Sequence, residues 1–533
     1  MTTARITAMH SETTRKISSK DYFDSEAIAV GLRGKASKGA IVTVTAQAAK
    51  FVLQTGTTMV LARLLIPEDF GLVAMVLAVT GFVTIFTDFG FTMATIQRDT
   101  LTHEQVSSLF WINAMGGMAM MLVIAAMAPL VGLLYHRHEL VLLTLAYAGV
   151  APITSLAVQH TALLQRNMEF GSLAVRDLTA LVIGGVAAIL AAVMGAGYWS
   201  LIIKQAVYAI VSLIAVWMGC SWRPGRFRVT KDASPLILFG GRVAIADFLG
   251  YISNNLDSLV IGYFLGARSL GFYSRAQNLL MEPLRQVLSP ILSVANPSLS
   301  RVANDPVRFR QAMCELIRKV TLIFAVLAAI LIPMSDWVVR VLLGPGWSEA
   351  AGLFAVLGTF GFIEPCAFAL SSCLLASGHP GVFAKWRVAS VICLTAGIMA
   401  GLPWGMLGVA VAYAGTGIFL RTPLLMWWVG KNTPVSMSDI LKSIIPFVTA
   451  GVLVCLLLLL LRQIVVFSSL FSGIAICGTS GMLLYLGLVA CLPISRKTLF
   501  ELGETAWTAF SGIIMFTRTR ALSAIQFRGG NAE

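Results

Sequence analysis

The chain is organised by hydrophobic runs that recur almost without pause from residue 39 to residue 492. A helix needs about 20 apolar residues to cross the hydrocarbon core of a bilayer. Runs of that size fall near 39–61, 70–93, 106–134, 140–162, 171–195, 197–219, 236–265, 270–300, 311–343, 350–376, 382–401, 404–429, 443–466 and 470–492, which is fourteen expected spans. The first carries a polar line, Thr43, Gln47, Lys50, Gln54 and Thr57. Steps of four, three, four and three residues put all five on one helical face. A lysine near the middle of a span is costly unless that face meets a cavity or a partner. The helix ends in Leu64-Leu65-Ile66-Pro67-Glu68-Asp69-Phe70-Gly71, and adding 200 to each number gives another apolar helix and Phe264-Leu265-Gly266-Ala267-Arg268-Ser269-Leu270-Gly271. Gln47, Gln54 and Thr57 then fall on Asp247, Asn254 and Asp257. The recurrence predicts a duplicated transporter lined by that face.

Composition agrees with a chain that lives in lipid. Only 12% of its residues are charged, 57% are hydrophobic, and the mean hydropathy is +0.83. A soluble domain carries about 25% charge. The net charge of +14 would suit nucleic acid, but its distribution points to membrane topology. With the amino terminus inside, and Arg340, Lys385, Arg387 and Arg462 near span ends counted with the side they adjoin, the cytoplasmic side holds 25 of the 39 Lys and Arg, the opposite side five (Arg63, Arg137, Arg268, Arg340 and Arg462), and nine lie deeper within spans. That bias is the positive-inside pattern, so both termini are expected in the cytoplasm and no nucleic-acid partner is expected. The first 38 residues have no cleavable apolar core and read as a cytoplasmic tail.

The longest internal connection, Ser221 to Ser234, divides six spans from six. The expected organisation is a tail over 1–38, an N-lobe over 39–220, a cytoplasmic linker over 221–235, a C-lobe over 236–430, two further spans over 431–492 and a cytoplasmic tail over 493–533. Both lobes start with the amino end inside, as in a parallel repeat. In the last tail Leu499, Leu502, Ala506, Phe510 and Ile513 recur at helical spacing, with Trp507 alongside, which predicts an amphipathic surface helix. The fold class is therefore all-α and polytopic, with two six-helix lobes and two extra helices. The eight cysteines sit in or at the ends of apolar segments without metal-ligand spacing, so neither metal nor disulfide is expected.

Polar groups inside spans mark the candidate site. The eighth span carries Arg275, Asn278, Glu282 and Arg285 on one face, with Gln286 and Ser289 nearby, and prolines at 283, 290 and 297. Each proline removes a backbone donor, which predicts a bent helix with a wet charged side. Lys204 lies a third of the way into the sixth span, Arg242 and Asp247 in the inner half of the seventh, and Asp257 in its outer half. Arg176 and Asp177 stand near the start of the fifth span, where interface anchoring and a lumenal role are both open. Asp88 follows Thr80, Thr84 and Thr87, and Glu364 precedes Pro365 in the tenth span. The surplus of cations favours an anionic cargo such as a pyrophosphate bearing sugars. Gln47, Lys50, Gln54, Lys204, Arg242, Asn254, Arg275, Asn278, Glu282 and Arg285 are the substrate-binding candidates.

The segment Leu61-Ala62-Arg63-Leu64-Leu65-Ile66-Pro67-Glu68-Asp69-Phe70-Gly71-Leu72-Val73-Ala74-Met75, with Phe86-Thr87-Asp88-Phe89-Gly90, Ile96-Gln97-Arg98 and Ser108-Leu109-Phe110-Trp111-Ile112-Asn113, resembles the Wzx/WzxC-type polysaccharide biosynthesis family. These are flippases for lipid-linked oligosaccharides within the multidrug/oligosaccharidyl-lipid/polysaccharide exporter superfamily. Asp257-Ser258-Leu259-Val260-Ile261-Gly262 and Leu270-Gly271-Phe272-Tyr273-Ser274-Arg275-Ala276 fit the same pattern. The resemblance implies two lobes around a cationic central cavity and alternating access. It also implies an undecaprenyl-pyrophosphate-linked repeat unit as cargo for exopolysaccharide or O-antigen synthesis in the inner membrane, with polymerase and export machinery as partners. It implies no cofactor and no catalytic residue. The related drug-export branch couples transport to ions through acids, which makes Asp88, Asp247, Asp257 and Glu364 ion-coupling candidates.

Two other functions fit parts of the pattern. A proton- or sodium-coupled antiporter for small cations would favour a lumen rich in acids and aromatics, unlike Lys50, Arg275 and Arg285. A polymerase or ligase would need a sizeable external loop, and the outer loops are short; His136-Arg137-His138 is the only external cluster that invites a catalytic reading. With both halves of the pathway in one chain, the working unit is expected to be a monomer.

Overall fold

The computed structural model describes residues 32–81, 91–97, 101–226, 234–467, 469–491 and 495–504. Helices start where the sequence supplies partners for their first amide groups. Helix α1 spans Leu32–Leu64, and α2 spans Pro67–Thr80 with proline in its first turn. There the Ile66 amide donates to Asp69 Oδ2 at 3.1 Å. The short α3 (Phe91–Gln97) precedes α4 (His103–Leu134), which opens on a capping box between Thr102 and Gln105. Then come α5 (Glu139–Ala148), α6 (Val150–Arg166), α7 (Phe170–Val193) and α8 (Trp199–Gly219).

The 68-residue α9 runs Ser234–Arg301 and leaves helical geometry at Gly266, with φ 80° and ψ 177°. The interruption sits at that glycine, which tolerates positive φ, while the helix continues through Pro283, Pro290 and Pro297. Next are α10 (Pro306–Leu331, capped by Asp305), α11 (Ser335–Leu342), α12 (Ser348–Phe360), α13 (Glu364–Ala376), α14 (Pro380–Gly401), α15 (Gly405–Thr416) and α16 (Thr422–Asn432). The chain closes with α17 (Met437–Ile464), begun by a Ser436–Asp439 capping box, and α18 (Leu470–Cys491). No strand occurs among the described residues.

Seven described helical stretches, two of them runs of consecutive helices (Glu139–Arg166 and Pro380–Asn432), are long and apolar enough to cross a membrane. Two bent pairs, α10 with α11 (83°) and the 345–360 segment with α13 (43°), raise that number to nine. Apolar side chains such as Leu133, Leu190, Phe419 and Leu483 are exposed along these helices. Such a surface suits lipid, which solvates hydrocarbon and leaves backbone groups to bond within each helix.

Contacts divide the chain into two compact units, Met1–Gly271 and Phe272–Glu533. A Cβ added to Gly71 would lie 1.7 Å from the Ala267 carbonyl oxygen, and one added to Gly271 would lie 1.9 Å from that of Pro67. Both pairs are related by the offset of 200, so the repeats meet themselves at one reciprocal crossing. Only residues without a Cβ allow backbones so close.

The start of the linker is bound to the first unit. Trp222 is fully buried and donates through Nε1 to His103 Nδ1 at 3.0 Å. Trp111 donates to the Gly225 carbonyl at 2.9 Å, and the Gly225 amide donates to Ser107 Oγ at 3.0 Å. Arg223 satisfies the carbonyls of Cys220, Trp222 and Trp217 at the end of α8. Around them Val106, Phe110, Leu163 and Val216 form an apolar core. The second unit's core lies where α10, α17 and α18 meet, around Ala325, Phe447, Leu458, Cys477 and Tyr485.

Candidate functional site

In the first unit the polar face of α1 finds its partner on α7. Lys50 Nζ contacts Asp177 Oδ2 in an ion pair between residues 127 apart in sequence. Arg176 contributes a second cation, its Nε donating to Asp177 Oδ1 at 2.7 Å. Its Nη1 donates to Thr161 Oγ1 of α6 at 2.7 Å. The side chains of Lys50, Arg176 and Asp177 are 24%, 16% and 11% exposed, so the group is partly shielded but not sealed. Small residues let the helices approach this closely. A Cβ on Gly185 would lie 2.8 Å from Thr57 Oγ1, and one on Gly184 would lie 3.1 Å from the Lys204 carbonyl. The sequence leaves Arg176 and Asp177 undecided, because the steps along α7 cannot say that Lys50 is opposite.

The second unit holds a different charge group. Glu364 opens α13, and its Oε2 is buried without a hydrogen-bond partner among the described residues. Arg421 and Arg285 are the cations that act on it electrostatically. Arg421 lies in a π-helical turn, Gly417–Arg421, and donates to the Tyr413 carbonyl at 2.9 Å. Its guanidinium stands 5.1 Å from the Phe360 ring centre and 4.8 Å from that of Tyr413. Rings hold a cation through their negative faces. Arg421 is not among the residues singled out from the sequence; the signal for it is a mid-span arginine between aromatic residues.

The remaining candidates are distributed as follows. Gln47 and Lys204 are half-buried and Gln54 is exposed. Arg275 is half-buried with Glu282 acting on it electrostatically, and Asn278, Glu282 and Arg285 are exposed. Asp257 is buried and accepts the Ser258 amide at 2.8 Å. Asp88 lies outside the described residues, as do the side chains of Arg242, Asp247 and Asn254. Among the described residues no group of three or more His, Cys, Asp or Glu is arranged to hold a metal.

A family model described as "Polysaccharide biosynthesis protein" matches residues 60–352, which is more than half of the chain. The chain belongs to that family. Within the polysaccharide biosynthesis family it is similar to the lipopolysaccharide biosynthesis protein WzxC of Escherichia coli (strain K12), at 23% identity over 66% of this chain and 73% of that protein. It is likewise similar to the succinoglycan biosynthesis transport protein ExoT of Rhizobium meliloti (strain 1021), at 26% identity over 67% and 73%. The fold matches the lipid II flippase MurJ in an inward closed conformation, with a TM-score of 0.68 and 14% identity over 86% of this chain and 99% of that one. The described secondary structure of this member of the polysaccharide biosynthesis family is all helical, and it is a multi-pass membrane protein.

Proposed function

We propose that the protein flips an undecaprenyl-pyrophosphate-linked oligosaccharide repeat unit from the cytoplasmic to the periplasmic leaflet by alternating access. The observation that carries this reading is a surplus of cation inside apolar helices, Lys50 and Arg176 around one carboxylate, in a polysaccharide biosynthesis chain. A pyrophosphate head is doubly anionic and cannot cross hydrocarbon unaided. A path lined by fixed cations lowers that cost while the prenyl tail stays in lipid. ExoT is named for transport and MurJ for flipping a lipid, and both support the reading.

The same proposal carries the topology. It has fourteen spans, arranged as two lobes of six plus two, with both termini cytoplasmic in a bacterial inner membrane, and a monomer as the working unit. Polysaccharide polymerase and export machinery receive the product. Gln47, Gln54, Lys204, Arg242, Asn254, Arg275, Asn278, Glu282 and Arg285 complete the path, and Asp88, Asp247, Asp257 and Glu364 are its ion-coupling acids.

The test is genetic. Deleting the gene should trap lipid-linked repeat units on the cytoplasmic side, and the chain should restore surface polysaccharide in flippase-deficient strains whose repeat unit it accepts. Normal surface polysaccharide in a deletion strain without a paralogue defeats the reading. Replacing Arg275 and Arg285 with Ala should lower transport in the same assay.

A further inference from the structure

The end of the last apolar helix carries a cavity that transport does not account for. Helix α18 is long and apolar enough to cross a membrane and ends at Cys491, so that residue lies at a bilayer surface. The described chain resumes as a helix over 495–504. Ser495 and Thr498 are buried there, and Leu499 and Leu502 pack against the second unit's core. Those four positions share one helical face. With that face docked, Arg496, Lys497, Phe500 and Glu504 are exposed. Together with Glu501 and Cys491 they line a cavity of about 610 Å³. Small-molecule sites span roughly 300–1,000 Å³, so the space is of the right size for a ligand.

The lining is ordered by charge. Two cations, Arg496 and Lys497, are followed over the next two turns by two carboxylates, Glu501 and Glu504. Phe500 stands between them, 67% exposed, with the Arg496 guanidinium 6.0 Å from its ring centre. Lys497 and Glu501 face each other at 3.9 Å. An exposed pair of that kind contributes little, so a ligand can take its partners at small cost. A molecule with a phosphate at one end and a primary amine at the other satisfies both signs at once. Guanidinium and ammonium take the phosphate, and the carboxylates accept from the amine. A purely anionic headgroup would instead set like charge beside the two carboxylates. A quaternary ammonium has no N–H to give them, and one ring is not the aromatic cage that would hold it.

We infer that this cavity binds the headgroup of phosphatidylethanolamine, with its phosphate at Arg496 and Lys497, its amine at Glu501 and Glu504, and its glycerol against Phe500. The acyl chains continue along α18, where Leu483 and Leu484 are exposed. The lipid thereby ties the end of the last span to the helix after it. None of the charge groups assigned to the transport path takes part, so the site stands apart from the flippase reading.

Cys491 supplies the readout, since among the eight cysteines it is the exposed one. The purified full chain is placed in nanodiscs of phosphatidylcholine alone, or with a share of phosphatidylethanolamine or phosphatidylglycerol. Alkylation of Cys491 by a water-soluble maleimide is then followed by peptide mass. Phosphatidylethanolamine should slow alkylation severalfold, and phosphatidylglycerol should not. Exposed charge contacts are each worth up to roughly fivefold in affinity. Arg496→Gln with Lys497→Gln, and separately Glu501→Gln with Glu504→Gln, should therefore bring the ratio of rates without and with phosphatidylethanolamine close to one. Stepwise N-methylation of the probe lipid should weaken the protection in the wild type.

Equal rates with and without phosphatidylethanolamine overturn the inference. Equal protection by phosphatidylglycerol does so too, because it marks a plain anion site. Protection that survives in both double variants marks a bilayer-wide effect and is equally fatal. Protection lost with the cations but kept without the carboxylates overturns the placing of the amine. Should a double variant fail to fold, the N-methylated series in the wild type decides, and a rate indifferent to methylation overturns the site.

Discussion

The two units solve the same problem, charge within apolar helices, in opposite ways. In the first, both oxygens of Asp177 are engaged by Lys50 and Arg176. In the second, Glu364 keeps a buried oxygen without a hydrogen bond among the described residues, while Arg421, a cation that acts on it electrostatically, gives one Nη donor to the Tyr413 carbonyl and stands over the Phe360 and Tyr413 rings. One carboxylate has both oxygens engaged and the other keeps an oxygen without a hydrogen bond among the described residues. A carboxylate with both oxygens engaged resists change. An under-bonded carboxylate gains from any proton or cation that reaches it.

The difference does not follow from the repeat. Backbone turns recur at an offset of 210, where Met168 and Gly378 both have positive φ (58° and 77°) and Gly171 and Gly381 follow. That offset carries Arg176 to Trp386 and Asp177 to Arg387. Matching turns are thus followed by helices whose charged residues do not match.

The comparison can be broken most directly at Asp177. Asp177→Ala leaves Lys50 and Arg176 facing each other without their anion, and loss of one partner from a buried pair costs about 3–5 kcal/mol. The partial exposure places this case at the lower end, and a thermal unfolding midpoint well below wild type in nanodiscs would show it. An unchanged midpoint would mean that the pair is not a structural element. Next in size is the reciprocal crossing. Gly71→Ala and Gly271→Ala should each cost about 1–3 kcal/mol through overpacking, and by nearly equal amounts, since each new Cβ meets a carbonyl oxygen at under 2 Å. Unequal losses in the same unfolding assay would deny the crossing its symmetry.

Arg421→Lys keeps the charge but loses the planar contact with two rings, a loss of about 1–2 kcal/mol. The same denaturation series would read it. The smallest effect belongs to Glu364→Gln. It removes a charge whose buried oxygen makes no hydrogen bond among the described residues, so stability should move by less than about 1 kcal/mol, in contrast to Asp177→Ala. Transport by this variant should lose its response to the coupling ion; a fully retained response would remove Glu364 from the coupling candidates.

Much of the architecture was legible along the chain because it is written in local terms. Span-length apolar runs and the recurrence of the 64–71 segment at 264–271 depend on neighbours a few residues apart. Membrane type and family were readable for the same reason, from the segment around Leu61–Met75. The count of fourteen spans was less secure, since helix bends and mergers such as Pro380–Asn432 depend on packing.

What the sequence determined by itself was which residues share a helical face: helical steps alone put Lys50 on the polar side of α1. Only the tertiary structure decided what that face meets. Asp177 is 127 residues away, and no periodicity within α1 or α7 sets the rotation of one helix against the other. That rotation follows from where Gly184 and Gly185 let neighbouring helices close in, which is a property of two surfaces and belongs to no single segment.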